Sequence, residues 1–427
     1  MKLRSKLPLF FKVLEASAVF FAIALVNINS LTRFRQFPEV DNYSDNEPWY
    51  LLTAALTLVL MWLLLREHQL LTEYLVTWKK NIPLIGFLIY TLITILWTVY
   101  IPATLYKWML LLFSSLAGAY IAVRYGRGGV VRLLTWAGAI FTILSILVVA
   151  YFPFVGIMQN KIFFGSWTGV FWHRNHTGNI FAFFNMIFLL RFLLDEQATK
   201  LHKPVFALLY LLSAAMVVGS RSATGVLVFL FLHLAVALTF AWLRLHERLE
   251  PWHYYLAGFV LLAGFLVFIT NTGFFFGLLG RTASMTGRVP LWQDLMGRVF
   301  LERPVLGHGY GALWMQKRFR IDMEIRHGWS NQVYFADNGF FDILLNTGLV
   351  GFVLFLAVYL PLGMRSFRQA IAAKHWLYFV PLLTFLYVLI GNLTYSFLLE
   401  VDQFVWMLLV IMVLLTSMPS SDKIAQP

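Results

Sequence analysis

Apolar runs of about 20 residues, separated by short polar breaks, recur along the whole chain, and a run of that length crosses the hydrocarbon of a bilayer as one helix. A backbone in lipid must satisfy its own hydrogen bonds, so the pattern dictates an all-α polytopic membrane fold. About twelve spans are expected. The first six lie near Phe10 to Asn27, Trp49 to Leu65, Ile82 to Tyr100, Thr104 to Val123, Val131 to Tyr151 and Thr177 to Leu190. The rest lie near Val205 to Gly219, Ala223 to Leu243, Tyr254 to Thr270, Asn338 to Pro361, Leu377 to Tyr395 and Asp402 to Thr416. The 427 residues are 60% hydrophobic and 12% charged, which excludes a water-soluble domain, where about a quarter are charged. The start, MKLRSK before an apolar stretch, resembles a signal peptide. LVNINS offers no small-residue cleavage site, so a retained first span is expected.

The formal charge of +13 follows an alternation. Every second break is basic: Lys2, Arg4 and Lys6; Arg66, Lys79 and Lys80; Arg124, Arg127 and Arg132; Arg191, Lys200 and Lys203; Arg244 and Arg248; Arg365, Arg368 and Lys374. The positive-inside rule places these breaks and both termini in the cytoplasm. The longest break, 273–335 between the ninth and tenth spans, is then a large external loop within a single integral membrane domain, 1–427. Such a basic balance points to anionic headgroups and anionic ligands, with no nucleic acid as partner. With no cysteine in the chain, disulfides, thiolate nucleophiles and Cys-bound metals are excluded. No GxxxxGK[ST] phosphate loop, DxD pair or HExxH pair occurs.

Polar groups too costly for the bilayer core gather at external ends in five clusters. FWHRNHTGN carries His173, Arg174, Asn175 and His176, with interfacial anchoring as the alternative for the two histidines. GSRSATG holds Arg221 in a break so short that its guanidinium faces the membrane surface or the bundle interior; such an Arg is functional by default, with a structural Arg pairing with helix-end carbonyls as the alternative. RTASMTGRVPLWQD offers Arg281, which reads as a loop cation, and Arg288. Guanidinium grips phosphate oxygens in pairs and stays charged, so several external Arg residues make a diphosphate clamp. GHGYGALW, with Tyr310, has glycines suited to a tight turn or close backbone approach. RHGWSNQVYFADNGFFDILLNTGLVG supplies His327, Asp337, Asn338 and Asp342. Here Asp337 reads either as a functional carboxylate or as a helix N-cap, and Asp342 as a first-turn carboxylate complementing the helix dipole.

The ordered set HRNHTGN, GSRSATG, TGRVPLW, GHGYGALW and ADNGFFDILLNTGLVG resembles the O-antigen ligase/polymerase superfamily, most nearly its exopolysaccharide polymerase branch. The resemblance covers roughly Trp172 to Gly351. It implies a GT-C-like glycosyltransferase of the bacterial cytoplasmic (inner) membrane, with its site on the periplasmic face. The implied donor is a polyprenyl (undecaprenyl) diphosphate-linked oligosaccharide, with no cofactor and no metal. In the family an Arg of the SR segment and one of the TGR segment engage the donor diphosphate, which carries over to Arg221 and Arg288; Arg174 joins them as a third cation. Many relatives place a His base where this chain has Asp337. A carboxylate can also take a proton from a sugar hydroxyl, so Asp337 is the expected base and His327 the substitute. Asn175, His176, Tyr310 and Asn338 are expected to contact substrate, and Trp172, Trp292, Trp314 and Trp329 to stack on sugar faces or to anchor at the interface. Membrane lipids, a flippase and a chain-length regulator complete the expected partners. The expected activity is glycan polymerisation, with a ligase acting on lipid A core or another acceptor as the alternative. A lipid-linked oligosaccharide flippase, from a different class, would instead place charges near the membrane midplane.

Overall fold

The computed structural model describes residues 12, 14–19, 47–160, 163–245, 288–328, 335–398 and 403–418. The ninth expected span, most of the first, both termini, Arg281 and Trp329 lie outside the described residues. The named elements are all helical: α1 Glu47–Arg66, α2 His68–Lys79, α3 Ile82–Ile93, α4 Ile101–Tyr151, α5 Arg174–Leu194, α6 His202–Gly219, α7 Ala223–Leu245, α8 Arg288–Asp294, α9 Lys317–His327, α10 Gly339–Ala373, α11 Phe379–Thr394 and α12 Gln403–Ser417. Among the described residues six helices are long and apolar enough to cross a membrane, or seven if the bent pair α1 and α2 is one span. Their outward faces carry large apolar side chains such as Leu58, Leu208, Leu211, Val353 and Phe367, a surface that water would not tolerate and lipid accepts. The all-α membrane class read from hydropathy is therefore observed.

Two helices sit inside the rest. In α12, from Phe404 to Leu415, every side chain is buried, as befits a helix apolar on all sides. Phe181, Phe183, Phe184 and Phe188 of α5 are likewise enclosed. Around them the chain runs between two ends. At one end Arg124 bonds Glu67, Arg127 bonds Gln369 and the Leu415 carbonyl, and Asn81 bonds Ser417. The basic breaks around 66–80, 124–132 and 365–374 thus meet at one end, as their alternation demands.

Two glycine turns shape the path. In α4, Ser115 lies against Trp406 and Arg127 against Leu415, but Gly138 then meets Phe184 and Ser145 bonds the Val170 amide. The chain has doubled back at Gly126, whose φ is 59°, so the fourth and fifth expected spans are two legs running in opposite directions, joined at the basic break between them. In α10 the turn is Gly348, φ 66°. The leg before it, 339–347, is about 13 Å long and packs Phe340 beside Phe355 and Tyr359 of the leg after it. The expected span from Asn338 to Pro361 is therefore a short half-helix whose N-terminus points into the bundle, followed by a full crossing.

Two further differences concern the third span and the break before it. Leu70, Tyr74 and Thr77 make α2 an amphipathic helix that turns 114° from α1 and packs one face on the bundle. At the far end α3 stops at Ile93, and Trp97 and Val99 instead bond the carbonyls of Leu306 and His308.

Candidate functional site

The end opposite the basic breaks gathers the clusters singled out in the sequence. HRNHTGN begins α5 and GSRSATG begins α7, and their glycines let the two helix starts touch: a Cβ on Gly225 would stand 2.6 Å from the Gly178 Cα. That approach brings the Ser222 hydroxyl to donate to Asn175 Oδ1 at 2.9 Å, and Arg174 Nη1 to donate to the Arg221 carbonyl at 2.8 Å. Arg174 is buried and lies 4.2 Å over the Phe163 ring. The guanidinium of Arg221 is exposed, with Nη1 3.2 Å from the Phe164 carbonyl oxygen. His173 caps α5, its Nδ1 accepting from the Asn175 amide at 3.2 Å, and its ring lies parallel to Tyr395. His176 is enclosed between Phe171 and Phe397. Neither histidine is an exposed interfacial anchor.

The second group lies around the inner end of the half-helix. Arg288 opens α8, and its Nε donates to Asp337 Oδ2 at 2.8 Å in a partly exposed ion pair. The N-cap alternative for Asp337 fails because Asn338 does that work: its Oδ1 accepts from the amides of Phe340 and Phe341 at 3.1 and 3.2 Å. Asp337 is thereby left with its carboxylate on a guanidinium. Among the described residues three non-glycine residues have positive φ, Arg221 at 51°, Asp337 at 53° and Lys374 at 50°. Two of them are residues the motifs select, and strain of this kind collects at functional sites.

Loop 304–309 fastens the turn of α10. The amides of Leu349 and Val350 donate to the carbonyls of Pro304 and Val305, and those of His308 and Gly309 donate to Leu345 and Asn346. A Cβ at Gly307 would meet the Gly348 nitrogen at 2.5 Å, which explains the glycine-rich sequence there. Tyr310 goes into the core, its amide donating to Thr94 Oγ1 at 3.0 Å. The tryptophans divide. Trp172 lies beside His173 at the site, whereas Trp292 donates to the Ala336 carbonyl at 2.7 Å and Trp314 is buried with its indole N–H on Asp342. Both of the latter brace the loop carrying Asp337.

His327 ends α9 with Nε2 3.4 Å from Asp294 Oδ2. Asp294 is six residues beyond Arg288, about 9 Å along a helix, and also bonds Arg298. The Arg298 hydrogen bond holds the Asp294 carboxyl below its ordinary range. His327 thus belongs to a charged network along α8 and α9, while Asp337 faces Arg288.

The segment 392–398 joins the two groups and was not singled out in the sequence. Tyr395, fully buried, touches His173 on one side and Phe335 on the other. Ser396 bonds Asp342, and the Asn392 side chain accepts from the amides of Phe397 and Leu398. A cluster of Asn, Thr, Tyr and Ser closing an apolar span was the available signal. Among the described residues no three His, Asp or Glu side chains lie together as metal ligands.

Residues 208–356 match the family model described as O-antigen ligase, which supports the superfamily recognised in the motifs. The match takes in Arg221, Arg288, Tyr310, His327, Asp337 and Asn338, and stops short of Arg174, Asn175 and His176. A search of curated proteins returns no match.

Proposed function

We propose, starting from the O-antigen ligase match over 208–356, that this integral membrane protein is a glycosyltransferase of the O-antigen ligase/polymerase type. Its donor is a glycan carried on polyprenyl diphosphate. The observation that carries the reading is the Arg288–Asp337 pair at the inner end of the half-helix, with Arg174 and Arg221 on the adjoining helix starts. A diphosphate is already a good leaving group, so catalysis needs cations where its charge develops and a base for the acceptor hydroxyl. Guanidinium serves the first need and a carboxylate the second.

In this reading the acceptor hydroxyl oxygen attacks the anomeric carbon of the donor sugar. The bond from that carbon to the diphosphate oxygen breaks, and polyprenyl diphosphate leaves with the electron pair. The hydroxyl proton passes to the Asp337 carboxylate. Arg288 exchanges its carboxylate partner for phosphate oxygens, which leaves Asp337 beside the reacting centre with both lone-pair faces open. Arg221, exposed and on a strained backbone, supplies a second fork, and Arg174 fixes the Arg221 peptide through its carbonyl. Trp172 is the aromatic surface nearest His173 for a sugar face. Because guanidinium charge neutralises the phosphates, turnover is expected to survive EDTA.

Positive-inside topology puts this end of the bundle on the external face of the cytoplasmic membrane, where lipid-linked glycans await assembly. The reaction favoured is polymerisation, moving the growing glycan onto the nonreducing end of a fresh lipid-linked repeat unit. The description of the matched family favours the second reading, ligation to another acceptor such as a lipid A core. Purified protein incubated with the host's lipid-linked oligosaccharide pool, with and without EDTA, distinguishes them on a gel. A ladder in both lanes supports the polymerase; product only after a separate acceptor is added supports the ligase.

A further inference from the structure

The loop that presents Asp337 is held by another carboxylate. Asp342 lies five positions further on, in the half-helix, and is 1% exposed. Its Oδ1 accepts from Trp314 Nε1 at 2.6 Å and from the Ala336 amide at 3.1 Å. Its Oδ2 takes the same amide at 3.2 Å and the Ser396 hydroxyl. Three segments far apart in the chain therefore converge on one acceptor: the GHGYGALW loop, the residue before Asp337, and the end of α11. An ionised carboxylate only accepts and has capacity for about four such bonds, so it suits this set of donors where an amide would not.

What these bonds maintain is the backbone at Asp337. A non-glycine residue in the left-handed region costs about 1–2 kcal/mol, and such a state persists where the surroundings over-determine it. Both polar backbone groups of Ala336 are held, the N–H by Asp342 and the carbonyl by Trp292. On the other side Asn338 caps the half-helix and its Nδ2 reaches the Leu393 carbonyl. The φ of 53° at Asp337 aims its carboxylate at Arg288. Without the Asp342 bracket the segment is free to relax to an ordinary backbone region and carry that carboxylate away.

We propose that Asp342 is a positioning residue for the transfer reaction, holding the base Asp337 in its left-handed conformation opposite Arg288 through Ala336, Trp314 and Ser396. The proposal rests on the glycosyl-transfer reading above. It touches neither donor nor acceptor, so its loss lowers kcat while leaving the KM for the lipid-linked donor set by the Arg residues.

The test measures kcat and donor KM, alongside thermal melting in detergent, for wild type, Asp342→Asn, Trp314→Phe and Ser396→Ala. Asp342→Asn places an NH2 among donors and is expected to cut kcat about 100-fold, the usual penalty for a misplacement of about 1 Å, with donor KM within twofold of wild type. Trp314→Phe keeps an aromatic ring beside Phe319 and removes the indole donor with part of the ring volume, so it is expected to fold with a lower melting temperature and to lose about tenfold in kcat. Should Asp342→Asn fail to fold, Trp314→Phe and Ser396→Ala decide. Wild-type kcat in every folded variant overturns the inference alone, as does a loss that appears in KM and melting without kcat. Wild type that forms no product overturns the transfer reading, and the inference with it.

Discussion

Gly225→Ala tests whether the contact between the starts of α5 and α7 builds the cationic half of the site. The new Cβ would stand 2.6 Å from the Gly178 Cα and 2.7 Å from its carbonyl carbon. Carbon atoms rest at about 3.5–4.0 Å, so the helix starts must part by about 1 Å. Both opposing atoms are backbone and neither can swing aside. Overpacking of this kind costs about 1–3 kcal/mol, against about 1 kcal/mol gained in helix propensity. The net effect on stability is a small loss, a few degrees in melting temperature. The effect on the site is larger, because the same separation stretches the 2.9 Å Ser222–Asn175 bond and the 2.8 Å bond from Arg174 to the Arg221 carbonyl beyond bonding range. A misplacement of about 1 Å in a group that orients substrate costs about 100-fold in rate. Turnover of lipid-linked oligosaccharide and detergent melting curves read the two effects separately. Gly86→Ala is the control, since a Cβ there meets nothing within 4 Å; it is expected to match wild type in turnover and, with the propensity gain unopposed, to melt no lower. Gly225→Ala with wild-type turnover would refute the idea that this helix contact sets the geometry of the Arg pair.

Three other outcomes follow from the same geometry. Arg288→Ala is expected to lower kcat by about 10²–10³-fold, the range seen when one charge-stabilising donor is removed, with the protein still folded in the membrane; Arg288→Lys should recover little, because a point charge lacks the fork. Asp337→Asn should abolish turnover while His327→Ala, whose ring lies on Asp294, should keep most of it; a rate lost only in the His327 variant makes that histidine the base. Burial of His308, whose Nε2 lies 2.9 Å from the Val299 carbonyl oxygen, lowers its pKa below the ordinary imidazole value. The unfolded chain then binds a proton that the folded chain refuses, so stability falls as pH drops below about 6.5. Melting curves from pH 7.5 to 5.5 should show that decline, and His308→Gln should flatten it.

Much of the fold was legible because lipid leaves few choices. Hydropathy located α5, α6 and α7 to within a few residues, and charge alternation foretold that Arg124, Arg127, Arg365 and their neighbours share one end. What it could not register is geometry that leaves hydropathy unchanged. Gly348 turns the chain inside a single expected span, so the half-helix of α10 has no hydropathic mark, whereas the reversal at Gly126 falls in the basic break that already divides the fourth and fifth expected spans. In the site, Arg221, Arg288 and Asp337 stood out because a charge at the edge of a span is costly. Their arrangement did not, since a separation of 49 positions between Arg288 and Asp337 says nothing about a 2.8 Å contact. Asp342 looked like a helix-dipole residue because its partners Trp314 and Ser396 are distant in sequence. Tyr395 escaped notice for the same reason: its neighbours His173 and Phe335 come from other segments.

The most direct test of the central claim is the release of free polyprenyl diphosphate from a lipid-linked oligosaccharide, followed by phosphorus NMR on purified protein in detergent. Glycosyl transfer predicts that free polyprenyl diphosphate appears in step with new glycosidic bonds in wild type, persists in EDTA, and forms about 10²–10³-fold more slowly with Arg288→Ala. A lipid-linked donor that stays intact in the presence of folded wild-type protein, with either a second repeat unit or an alternative acceptor supplied, would contradict the claim and turn the cationic end toward transport.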